Sequence, residues 1–247
     1  MTKHIPSKIL NFFKTYYNLL LICLVLLIIF RPYNDSITYL AIWKVLLTGT
    51  ILTAIFTGNR SYKLKMVEIF LAIPTITFCW LDIIFPYPII FVINTIFNIL
   101  FTLFATVNII QHVLLRTKVN IETLKGVICA YFLVAIAFAY IFWLIEYFEP
   151  NSFFISPPHK DFFYYTQYLS EMIYFSFVTL LTIGYGDIVA VKNVGQTAVI
   201  LEGLIGQFYV VILVARLVAT YSFHAQAKLL KNANPEKGSV DISKNPH

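Results

Sequence analysis

Few side chains in this chain are spaced for covalent or metal chemistry. The five histidines (His4, His112, His159, His224, His247) are scattered and form no HExxH-type pair, which leaves a zinc enzyme unsupported. Cys23, Cys79 and Cys129 each sit inside an apolar run. Their odd number and wide spacing make no disulfide framework, and they read as small buried hydrophobes. No carboxylate pair and no nucleophile–base set stands out, so neither an enzyme nor a resident cofactor is expected. The concentrated chemistry belongs to the backbone. Of only nine glycines, five (Gly184, Gly186, Gly195, Gly203, Gly206) fall in one 23-residue window. Two of them flank a tyrosine in Thr182-Ile183-Gly184-Tyr185-Gly186-Asp187. Glycine takes positive φ without a steric penalty, so this stretch can turn its peptide groups in directions that other sequences resist.

The elements that must position this stretch follow from composition. Hydrophobic residues make up 59% of the 247, charged residues only 12%, and mean hydropathy is +0.78. A soluble core of this size cannot hide so much apolar surface, and disorder needs the opposite balance. A bilayer fits, at about 20 apolar residues per spanning helix. Six long apolar segments run roughly 12–30, 37–57, 66–85, 88–115, 124–148 and 194–222, with a shorter seventh near 162–181. Arg31-Pro32-Tyr33 after the first segment offers no small-residue cleavage site, so it reads as a membrane helix and not a signal peptide. The net charge of +6 reads as lysine and arginine on cytoplasmic loops, with no nucleic-acid partner. With a cytoplasmic N-terminus and six spans, 14 of the 18 basic residues fall on inside segments, leaving Arg31, Lys44, Lys160 and Lys192 for the outer half. A seventh span would put the lysine-rich tail outside. The 162–181 segment is therefore expected to be re-entrant, which the membrane tolerates where backbone lines a cavity or is buried in protein. The expected fold is an all-α membrane protein with six transmembrane helices and a re-entrant helix between the fifth and sixth.

The motif 182–187 resembles the selectivity filter of potassium channels, and Tyr174 to Leu181 resembles the pore helix before such filters. The resemblance covers roughly 121–224. It implies that Thr182, Ile183, Gly184, Tyr185 and Gly186 coordinate K+ through a row of oxygens, and that four chains ring the axis as a homotetramer. Glycines at 184 and 186 would let carbonyls face one side, while Ile183 and Tyr185 point into surrounding protein. Tyr174 is placed to hydrogen-bond Asp187 and brace the outer mouth, where a carboxylate also concentrates cations. In the last helix, Gly206 falls at the family's hinge glycine, with Gly203 beside it, although close helix packing selects glycine equally. Val210, Val214 and Val218 recur at i, i+4, i+8 and are expected to line a cavity that gates by dewetting, unless they face lipid or neighbouring helices. Glu202 is expected to accept hydrogen bonds behind the pore helix. Arg216 belongs to the same domain, with snorkelling to headgroups as its simpler role. Three positions depart from the family: Leu181 where threonine is common, Ala190 where proline is common, implying a less rigid mouth, and Val178 where some members carry an acid.

Residues 1–120 then read as a four-helix peripheral domain laid out like a voltage sensor, 121–224 as the pore domain and 225–247 as a short, disordered cytoplasmic tail. The fourth segment, 88–115, carries no arginine. Voltage supplies about 2.3 kcal/mol per charge per 100 mV, so voltage dependence should be weak or absent. Asn94, Asn98, Thr102 and Thr106 at i, i+4, i+8, i+12 form a polar stripe expected to hydrogen-bond between helices. Lys44, Glu68 and Asp82 lie at membrane depth, where pairing or snorkelling is expected. The implied function is passive K+ conduction across a cell membrane, of bacterial inner-membrane type, with both termini cytoplasmic. The alternatives are a subunit of a K+ transport system, disfavoured by a single filter, and a non-conducting regulatory subunit.

Overall fold

The computed structural model describes residues 16–31, 37–57, 62–85, 87–115, 121–156 and 165–233. Seven helices are described: α1 (Tyr16–Ile29), α2 (Ile37–Phe56), α3 (Tyr62–Ile84), α4 (Pro88–Leu115), α5 (Ile121–Phe148), α6 (Tyr165–Leu180) and α7 (Asn193–Ala233). Within α7, side chains are described through Ile212 and at Ala215 and Arg216. Five helices contain stretches long and apolar enough to cross a membrane: Thr38–Phe56, Tyr62–Ile84, Pro88–Val113, Glu122–Phe148 and Asn193–Ile212. The first expected span is shorter as described, 14 residues in α1, and its expected start at residue 12 lies outside the described residues.

The helices form where uninterrupted apolar sequence leaves the backbone to satisfy itself. Pro88 takes the first helical position of α4, where its missing N–H is no loss. Threonines that would otherwise carry a bare hydroxyl donate to the carbonyl one turn back, as Thr48 does to Lys44 and Thr50 to Leu46.

In the first compact unit, Met1–Phe208, α5 is the hub, packing against α1, α4 and α6. Its small residues Cys129, Ala130, Ala135, Ala137 and Ala139 are fully buried and allow close approach. Gly126 takes the α1 contact: a Cβ there would lie 2.9 Å from the Tyr17 ring. The membrane-depth ionisable groups Lys44, Asp82 and Glu68 have partners. Lys44 Nζ meets Asp82 Oδ1 in a buried ion pair and donates to the Cys79 carbonyl at 2.8 Å. Asn108 Nδ2 donates to Glu68 Oε1 at 3.3 Å. The stripe on α4 is buried as expected, but its hydrogen bonds run within the helix. Asn98 Nδ2 reaches Asn94 Oδ1 at 2.8 Å, and Thr102 and Thr106 each donate one turn back at 2.7 Å. Local back-bonding satisfies a threonine in an apolar medium without any partner helix.

Two features lay outside the expectation. A two-stranded antiparallel pair joins β1 (Phe153–Ile155) to β2 (Ile188–Ala190), with Phe153 opposite Ala190 and Ile155 opposite Ile188. Pairing across 35 residues leaves no trace in local periodicity. The last helix also continues to Ala233, beyond the expected boundary at 224. Residues 234–247 lie outside the described residues.

Candidate functional site

The stretch 182–187 hangs between α6 and β2. At the end of α6 the chain folds back on its own last turn. Leu181 N donates to Phe177 O at 2.9 Å, Thr182 N to Thr179 O at 2.9 Å and Ile183 N to Val178 O at 2.9 Å. Helix carbonyls that would be orphaned are thereby satisfied, and the backbone entering the motif has a fixed direction. Positive φ then recurs at every second residue: Thr182 at 58°, Gly184 at 60° and Gly186 at 80°. Two of the three are glycines, for which this region is open. Thr182 is not, and is held there by its bond to Thr179 O.

Next to the motif, two adjacent turns of three helices are locked together. Tyr131 on α5 donates its hydroxyl to the Leu180 carbonyl at 2.7 Å. A Cβ placed on Gly206 of α7 would lie 2.9 Å from Leu180 Cδ1 and 3.1 Å from Cγ. One turn away, Ser176 Oγ lies 2.7 Å from the Ala135 carbonyl and also contacts Glu202 Oε1. The pairs 131/135, 176/180 and 202/206 are each i, i+4, so one stripe from each helix meets along two levels. Ser176 has one hydroxyl proton. It satisfies both acceptors only if Glu202 is protonated and donates to it. Gly203, by contrast, has no atom within 4 Å of a Cβ position.

The end of the motif at Asp187 is braced twice. Tyr174 donates to Asp187 Oδ2 at 2.7 Å, and Asp187 Oδ1 accepts from Ile188 N at 3.1 Å. The hydrogen bond to Asp187 holds the Tyr174 phenol up at about 12. The β1–β2 pair forms the second brace, continued by Ser156 N to Asp187 O and Val191 N to Ser152 O, both 2.8 Å. The loop before it is gathered by Glu146 of α5, whose carboxylate accepts from the backbone N–H groups of Asn151, Ser152 and Phe153 at 2.7, 2.9 and 3.1 Å. Phe142, Phe153 and Phe175 pack with centroids 5.3–5.6 Å apart, joining α5, β1 and α6. Ala190 sits in the ladder, where a proline fits poorly. The segment around Ala190, expected to be less rigid for want of a proline, is paired with β1.

The structure thus brings together Thr182 through Asp187, Tyr174, Glu202 and Gly206. It leaves Val210 and Arg216 in the second compact unit, Tyr209–His247, and the side chains of Val214 and Val218 lie outside the described residues. Sequence reading missed Tyr131, Glu146 and Arg31, because each acts across 49, 5–7 or 139 residues toward a backbone atom that carries no residue signature. Among the described residues no group of three His, Cys, Asp or Glu comes together as a metal site.

Residues 126–222 match a family model described as an ion channel. The match indicates an ion channel, and with the apolar helices it describes a multi-pass membrane protein. No curated protein and no solved structure matches the chain. The matched stretch begins inside α5 and ends inside α7, so it encloses every residue of the braced motif.

Proposed function

We propose that four copies of this chain form a passive, potassium-selective channel, with residues 182–186 as its filter. The observation that carries this reading is the alternation of positive φ at Thr182, Gly184 and Gly186. In a regular strand successive carbonyls point to opposite sides. Inverting φ at every second residue turns the intervening peptides over, which is what a row of oxygens facing one axis requires. Such a row replaces the hydration shell of K+.

The motif cannot close a ring alone. In the protomer Ile183, Tyr185, Ile200, Leu201, Leu204 and Phe208 are exposed, an apolar face that further copies would cover. The 16 described residues of α6 extend about 24 Å, short of a hydrocarbon core of about 30 Å, which supports a re-entrant pore helix. The lysine and arginine distribution supports six spans, the first of them begun before the described start of α1, with both termini cytoplasmic. α4 carries no lysine or arginine, so opening is expected to draw little energy from membrane voltage.

Purified protein in liposomes tests the reading by K+ and Na+ efflux. K+ should leave far faster than Na+, and Gly184→Ala, which puts a Cβ at φ 60°, should abolish the flux. Equal K+ and Na+ rates, or flux untouched by Gly184→Ala, would overturn it.

A further inference from the structure

Arg31 lies two residues beyond the end of α1, yet its side chain reaches α6. Its Nη1 donates to the Ser170 carbonyl on α6 at 3.2 Å, and its guanidinium carbon lies 5.2 Å from the centroid of the Tyr174 ring. Ser170 and Tyr174 are one turn apart, so the planar guanidinium lies along a single face of the helix. The same tyrosine donates to Asp187, the residue after the proposed filter. The root of Arg31 is fixed as well. α1 buries Leu20, Leu24 and Leu27, seats the Tyr17 ring on Gly126 of α5 and closes its last turn through Phe30 N to Leu26 O at 2.8 Å. A guanidinium anchored in this way can act on Tyr174 in two respects. It limits the tilt of the ring, which sets where the hydroxyl points. Its charge against the ring face draws electron density from the phenol and makes the O–H a better donor, in keeping with the downward pull of Arg31 on the Tyr174 phenol against the larger upward pull of Asp187.

We propose that Arg31 is a positioning residue of the outer mouth, through which α1 of the peripheral domain sets the Tyr174–Asp187 brace and hence ion selectivity. The inference rests on the filter reading above. It gives the four-helix domain a task that needs no gating charges, since a shift of α1 relative to α6 would load or release the brace.

A double-mutant cycle on the full-length protein in liposomes tests it, with the K+/Na+ flux ratio as readout. Arg31→Gln should lower the ratio by about two- to fivefold, the size of one exposed cation–ring contact. Arg31→Lys, which keeps a cation near the ring but not the planar fork, should retain part of it. The deciding result is the pair: in a Tyr174→Phe background, Arg31→Gln should change the ratio no further, because both act through one hydrogen bond. A structural role for Arg31 alone would make the losses multiply, and that outcome overturns the proposal, as does an unchanged ratio in Arg31→Gln. If Arg31→Gln fails to assemble, the same cycle with Arg31→Lys gives the same decision. A wild type that passes both ions alike defeats the filter reading and this inference together, whereas a selective wild type with additive losses defeats only the inference.

Discussion

Substituting alanine at Gly206 separates the two roles open to that glycine, a hinge or a packing contact. The added Cβ would stand 2.9 Å from Leu180 Cδ1, 3.1 Å from Cγ and 3.4 Å from the Leu180 carbonyl oxygen, against about 3.5–4.0 Å for a comfortable carbon pair. Overpacking of this kind costs about 1–3 kcal/mol. If Leu180 shifts to relieve it, the hydrogen bond from Tyr131 to its carbonyl is strained, at a further cost of up to about 1 kcal/mol. Alanine returns about 1 kcal/mol as the better helix former, leaving Gly206→Ala destabilised by about 0–3 kcal/mol. Gly203→Ala is the internal control. It meets no atom within 4 Å in the protomer and keeps the gain of about 1 kcal/mol. The two variants should therefore differ by about 1–4 kcal/mol in denaturant unfolding of detergent-solubilised protein. Leu180→Ala should cost about 2–5 kcal/mol in the parent and about 1 kcal/mol less beside Gly206→Ala, because the cavity then receives the new methyl. A Gly206→Ala protein as stable as Gly203→Ala, or one whose loss is independent of residue 180, would refute the packing argument and return Gly206 to a hinge.

Three further outcomes are expected. Lys44→Met should lower unfolding stability by about 3–5 kcal/mol by leaving Asp82 buried without its partner, while Lys44→Met with Asp82→Leu should recover most of it. Glu202→Gln keeps a donor toward Ser176 and should conduct and fold much as the parent does. Glu202→Ala removes it and should destabilise by about 1–3 kcal/mol, and a glutamine variant as damaged as the alanine would contradict the assignment. The Tyr174 brace should be insensitive to pH across the neutral range. Its phenol is held up at about 12 by the bond to Asp187, so the stabilisation is complete below the ordinary tyrosine value of about 10 and lost only as pH rises through about 12. A K+/Na+ ratio that falls already between pH 7 and 9 would place another group in control.

The membrane class, the helix segments and the motif were written in local sequence. A run of about 20 apolar residues has few fates other than a bilayer, and α2 to α5 start and stop within a few residues of where hydropathy placed them. The motif was legible because only glycine takes positive φ readily, so a conformational demand becomes a residue identity. Thr182 shows the limit of that logic. It adopts the same φ region, but a backbone hydrogen bond to Thr179 imposes it, and no side chain advertises it.

What only the tertiary structure decided is which distant groups hold that motif in place. Arg31 meets α6 across 139 residues, Tyr131 caps Leu180 across 49, and the strand pair ties β1 to β2 across 35. Each contact ends on a carbonyl, an amide or a ring face, groups present at nearly every position, so sequence cannot single out the partner. The glycine at 206 was conspicuous as a residue. That it faces Leu180, while Gly203 faces open space in the protomer, depends on the rotation of one helix against another. The summed packing of all the helices sets that rotation, and no local pattern encodes it.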